Sequence, residues 1–90
     1  MSKALHHAGH GALIKRLKRA GGHLTNVIEM LEADLPCAEV AQQLHAVEKA
    51  IGAAKKALIH EHLDDCLARA VRTAKSEEAL AEFKDMTKYL

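Results

Sequence analysis

The chain has 90 residues, with 13 Lys and Arg against 12 Asp and Glu, a formal net charge of +1, and 49% apolar residues of which only one is Phe, one Tyr and none Trp. A single domain this small buries only about 60% of its unfolded surface alone, so association between copies is expected, and a core so poor in aromatics favours long helices over a sheet. No apolar run approaches the roughly eighteen residues of a membrane span and the start lacks a signal-peptide core, so a cytosolic protein with no membrane partner is expected.

Residues 1–11 carry His6, His7 and His10 among Gly9 and Gly11. Glycine weakens a helix, so this stretch reads as a mobile histidine-bearing arm. From residue 12, Leu13, Leu17, Ala20, Leu24, Val27 and Leu31 recur at alternating steps of four and three, which predicts a helix over 12–33 packed lengthwise on another. Gly21 and Gly22 in its middle imply either a bend or a close neighbouring backbone. Asp34, Leu35 and Pro36 mark a turn, with Asp34 as cap of the next helix.

The second helix, over 37–73, repeats the seam at Val40, Leu44, Val47, Ile51, Ala54, Leu58 and His62. Its small residues Ala50, Gly52, Ala53, Ala54 and Ala57 would let another helix come close. Ser76, Glu77 and Glu78 open a third helix, the hydroxyl as cap and the acids at the positive end of the dipole. Leu80, Phe83, Thr87 and Leu90 are its expected inner face, and Lys84 and Lys88 suit its carboxyl end. The fold class is therefore all-α, a three-helix protomer in a single domain.

The chemistry concentrates in Leu58 to Leu67, LIHEHLDDCL. On a helix His62 and Cys66 lie one turn apart on one face, a half-site of one imidazole and one thiolate. The other cysteine, Cys37, opens the same helix roughly 35 Å or more away along a straight rod. One chain cannot close such a site, but an antiparallel partner would bring its Cys37 alongside. Two thiolates and an imidazole suit Cu(I) in trigonal geometry, whereas added donors from His6, His7 and His10 would favour Ni(II), Co(II) or Zn(II). The plain alternatives are a satisfied core histidine at His62 and a small buried hydrophobe at Cys66.

Two cysteines in a reducing compartment point to thiolate chemistry or burial rather than a structural disulfide. His60 and Glu61 form no zinc-hydrolase motif, and His60 points away from His62. His23 and His45 read as interhelical or surface histidines. Asp64 and Asp65 have no nucleophile or phosphate loop beside them, so no enzyme is expected. Lys15, Arg16, Lys18 and Arg19 precede the first acid, Glu29, and form a basic segment suited to a polyanion.

The run IKRLKRAGGHL, then VIEMLEADLPC, QQLHAV and LIHEHLDDC, resembles the copper-sensitive operon repressor family of small helical metal and formaldehyde sensors over nearly the whole chain. The resemblance implies an antiparallel dimer forming a helical bundle, assembled as a dimer of dimers, that represses transcription and leaves operator DNA when Cu(I) binds. It implies that Cys37 of one protomer joins His62 and Cys66 of another, with Glu82 in the outer shell. Pro36 stands where the family has a tyrosine, removing one outer hydrogen bond.

The resemblance further implies DNA contact through Arg16, reinforced by Lys15, Lys18 and Arg19. Gly21 and Ala53 stand where copper sensors carry arginine, with Lys49, Lys55 and Lys56 as possible substitutes. In the nickel and cobalt branch the amino-terminal ligand position matches Leu5, beside His6 and His7. Other classes stay open: a thiol or persulfide sensor pairing Cys37 with Cys66, and a metal-binding protein without an operator.

Overall fold

The computed structural model describes residues 10–72 and 76–90, without the side chains of Ala70, Arg72 and Ser76. It contains α1 (His10–Glu32), α2 (Cys37–Arg72) and α3 (Ser76–Thr87), and no strand among the described residues. The first helix starts two residues before the expected boundary, so His10 and Gly11 belong to it and not to an arm. His6 and His7 lie outside the described residues, as does the capping hydroxyl of Ser76.

Asp34 does not cap α2. It adopts a left-handed φ of 56°, its N–H donates to the Leu31 carbonyl at 3.1 Å, and the Leu35 N–H donates to Met30 at 3.1 Å. This is the Schellman closure of α1, with aspartate in the place glycine usually takes. Pro36 then accepts the first bonds of α2, from Glu39 at 3.0 Å and Val40 at 3.1 Å. Its missing N–H is no loss there. Cys37 is thereby fixed as the first residue of α2.

α1 and α2 run antiparallel, as the pairings His10 with Glu61 and His23 with Gln43 require. α3 folds back on the carboxyl end of α2, so that α1 and α3 each pack on α2 and not on one another. With 36 residues, α2 is roughly 54 Å long and accounts for most of the 58 Å long dimension.

Only half of each predicted seam is buried. Leu13, Ala20 and Val27 of α1 and Val40, Val47 and Ala54 of α2 are buried, with Val27, Val40 and Val47 packed as one cluster, whereas Leu17, Leu24, Leu31, Leu44, Ile51 and Leu58 remain 38 to 56% exposed. Alternate positions of a four-three repeat form two adjacent stripes, and one neighbour helix covers one of them. Beyond Ala54 the buried positions change to Ile59 and Cys66, while Ala57 and Glu61 still line a groove with Leu13 and Arg16 of α1.

None of the glycines of α1 and α2 is required by a close approach within the protomer. α1 runs through Gly21 and Gly22 without a break, and a Cβ added at either, or at Gly52, would meet nothing within 4 Å. Thr25 donates its hydroxyl to the Gly21 carbonyl at 3.2 Å. On α3 the inner face keeps the expected Phe83 and Thr87, both half-buried, but is turned toward Ala79, which is buried, and Glu82 and Met86, which are half-buried, leaving Leu80 and Leu90 exposed. The turn is about half of the 100° that separates successive helical residues, enough to carry Glu82 inward.

Candidate metal centre

Cys66 is the pivot of the site, 1% exposed beneath α3. Its S–H donates to Glu82 Oε1 at 3.4 Å, and that oxygen also lies 3.4 Å from His62 Nε2. The donor atoms of His62, Cys66 and Glu82 fall within 4.8 Å of one another. The spacing of four on α2 supplies the first two, and the rotated face of α3 supplies the third. Imidazole, thiol and carboxylate so placed fit a metal ion, a soft one by virtue of the sulfur.

Arg69, which the sequence reading passed over, completes the cluster. Its Nη2 donates to Glu82 Oε1 at 2.6 Å and to Cys66 Sγ at 3.4 Å, while Nη1 faces Glu82 Oε2 at 3.5 Å. Nε lies 3.5 Å from Asp65 Oδ2, one turn back. The signal was present: an arginine three residues after a candidate cysteine and four after an aspartate, on a predicted helix, reaches both.

These contacts set the local acidity. Burial, and then the hydrogen bond to Glu82, push the Cys66 thiol up, against the pull of Arg69. The guanidinium beside Glu82, and then the Cys66 hydrogen bond, hold its carboxyl below the ordinary range. Glu82 in turn raises Arg69 further, so that side chain stays charged.

Cys37 is exposed at the opposite end of α2. Twenty-five residues of unbroken helix separate it from His62, roughly 37 Å, and the protomer does not bring the two together. His10 lies 3.3 Å from Glu61, tying the start of α1 to α2 one residue before His62. His23 is interhelical, its Nε2 2.7 Å from Gln43 Oε1, and His45 is exposed beside Glu48 at 3.7 Å.

Lys15, Arg16, Lys18 and Arg19 are all exposed along α1, as are Lys49, Lys55 and Lys56 on α2. The three lysines line one groove with Gly52, Ala53 and Leu90. Arg16 sits instead over a small groove shared with Glu61. Among the described residues no helix is long and apolar enough to cross a membrane.

Comparison with known proteins gives the same outline. The profile of the metal-sensitive transcriptional repressor family matches residues 10–89. The copper-sensing transcriptional repressor CsoR of Mycobacterium ulcerans (strain Agy99) is 38% identical over 78 residues, 87% of this chain and 67% of that protein. CsoR of Mycobacterium tuberculosis (strain ATCC 25618 / H37Rv) is 36% identical over 89 residues, 99% of this chain and 74% of its own. CsoR of Bacillus subtilis (strain 168) is 30% identical, covering 84% and 75%. Among solved structures, the nickel-responsive transcriptional regulator InrS superposes with a TM-score of 0.81 at 32% identity, over 89% of this chain and 91% of that one.

Proposed function

The chain belongs to the metal-sensitive transcriptional repressor family, and from that premise we propose that it senses Cu(I) at a centre shared between two protomers and releases operator DNA when that centre fills. It is a metal-responsive repressor and not an enzyme, and its relatives are copper-sensing repressors. The convergence of His62, Cys66 and Glu82 at one end of a straight helix that begins with the exposed Cys37 carries the copper assignment.

The donors fit the ion and the rod sets their partners. Cys66 and His62 supply one sulfur and one nitrogen, and Glu82 stands as outer support. The second sulfur is Cys37 of an antiparallel copy, because no bend in α2 returns the chain's own Cys37. The uncovered stripe of Leu17, Leu24, Leu31, Leu44, Ile51 and Leu58 supports a homodimer seam of helical-bundle type, and a second such pairing gives the tetramer. His62, Cys66 and Cys37 of the second copy would hold Cu(I), a soft ion whose chemistry suits two thiolates and one imidazole.

In the metal-free form Lys15, Arg16, Lys18 and Arg19 contact DNA phosphates, with Lys49, Lys55 and Lys56 in place of the arginines absent at Gly21 and Ala53. Affinity for DNA then falls steeply with salt. By linkage, the loss of DNA affinity on metal binding equals the loss of metal affinity on DNA binding, with a coupling of about 1–3 kcal/mol. The site of action is the cytoplasm, where the operator is.

The test is fluorescence anisotropy on a labelled fragment of the protein's own promoter, run anaerobically with and without Cu(I). Wild type binds without metal and is released by Cu(I). Cys37→Ala stays bound because it has lost tight Cu(I) binding, and Arg16→Ala binds DNA weakly with Cu(I) affinity intact. Full copper affinity in Cys37→Ala would overturn the shared centre. A nickel reading is favoured by the likeness to InrS and by His10 beside Glu61, and Ni(II) or Co(II) in place of Cu(I) as the releasing ion would establish it.

A further inference from the structure

Arg69 has no part in the copper proposal, yet its guanidinium stands among the groups that proposal uses. Nη2 is 2.6 Å from Glu82 Oε1 and 3.4 Å from Cys66 Sγ, and the same Oε1 is 3.4 Å from His62 Nε2. Two of the three convergent groups are thus already held by a cation. An arginine cannot make room by giving up a proton. It leaves only by swinging away, and at 37% exposure it has a route to solvent.

We propose that Arg69 is a resident stand-in cation that braces Cys66 and Glu82 in the metal-free protein and must swing off the sulfur before a metal ion can be held there, so that it sets affinity and selectivity at the site. The inference rests on the metal-sensing function proposed above. The physical ground is competition: Nη2 lies on the same sulfur and carboxylate oxygen that an entering metal ion would approach, and two cations that close repel across a half-buried site.

Selectivity follows from the same competition. A soft ion with a strong preference for sulfur displaces the guanidinium, whereas a hard ion held mainly by Glu82 meets Arg69 already on that carboxylate. Because Arg69 is on α2 and Glu82 on α3, the swing also loosens a tie between these helices. Arg69 is therefore a positioning residue, acting on the metal through Cys66 and Glu82.

The experiment is anaerobic Cu(I) titration of the full chain against a chromophoric Cu(I) chelator, on wild type, Arg69→Ala, Arg69→Gln and Arg69→Lys, each also in a Glu82→Gln background. Arg69→Ala and Arg69→Gln are expected to bind Cu(I) about tenfold tighter than wild type. Arg69→Lys falls between, since an ammonium keeps the charge but not the fork. The gain shrinks toward none when Glu82 is already Gln, where the guanidinium has lost its main partner. Circular dichroism establishes that the helices are intact, and Arg69→Gln stands in if the alanine variant does not fold.

Equal or weaker binding by both neutral variants overturns the inference and leaves the copper proposal standing. Wild type that holds no Cu(I) overturns both.

Discussion

A complementation experiment follows directly from the length of α2. Cys37→Ala and Cys66→Ala each remove one sulfur from every site, and neither alone binds Cu(I) tightly. The two variants are mixed in equal amounts, unfolded together and refolded, so that protomers pair at random. In an isologous two-fold pair about half of the dimers are then mixed, and in each mixed dimer one of its two crossed sites has both sulfurs, so about one quarter of all sites recover. The other site of each mixed dimer lacks both. With one variant labelled with nitrogen-15, native mass spectrometry counts the mixed dimers and Cu(I) competition counts the tight sites. Because His62 lies roughly 37 Å along the helix from Cys37, a site within one chain is not an alternative route to recovery. No tight binding despite abundant mixed dimers would refute the shared centre.

Two further outcomes are expected. Ile51, 44% exposed in the protomer, lies on the uncovered stripe, so Ile51→Glu places a charge in the proposed seam, and light scattering should show the assembled mass giving way to protomer. An unchanged mass would mean that the stripe is not the seam. The Arg69–Glu82 pair contributes only modestly to the fold, since its side chains are 37% and 40% exposed and water screens the attraction. Glu82 is held below its ordinary 4.5, so this stability is present above that pH and lost as pH falls through the lowered value. The gap between wild type and Arg69→Ala in urea unfolding should therefore narrow on acidification, and a widening gap would reverse the assigned sign.

Much of this was legible in the chain because a four-three apolar repeat, a Pro-marked turn and a Ser-Glu-Glu start fix helix boundaries by local chemistry. The all-helical class and the pairing of His62 with Cys66 on one face followed from spacing alone. The repeat could not tell which of its two stripes a protomer buries, since Val47 and Leu44 satisfy the pattern equally and only tertiary packing separates them. Asp34 was read as a cap because aspartate usually caps by its side chain, and its left-handed backbone has no sequence marker short of glycine. The face of α3 was misplaced because Leu80 looks more apolar than Ala79, whereas close approach to α2 selects the smaller residue. Arg69 went unread because it is not a metal-ligand type, and its relation to Glu82 exists only after α3 has folded back.

The unbroken course of α2 makes its residue count a specification in itself. In the crossed arrangement proposed above, each copy of this rod would bring a thiol at its head and a nitrogen-sulfur pair toward its tail, so one piece of backbone would serve as the gauge for two centres at once. A single residue inserted between Cys37 and His62 would lengthen the rod by about 1.5 Å and turn one end against the other by about 100°. Both centres would go out of register together, however faithfully every donor was kept. Point substitutions along the outer face are tolerable to such a gauge, whereas insertions and deletions are not.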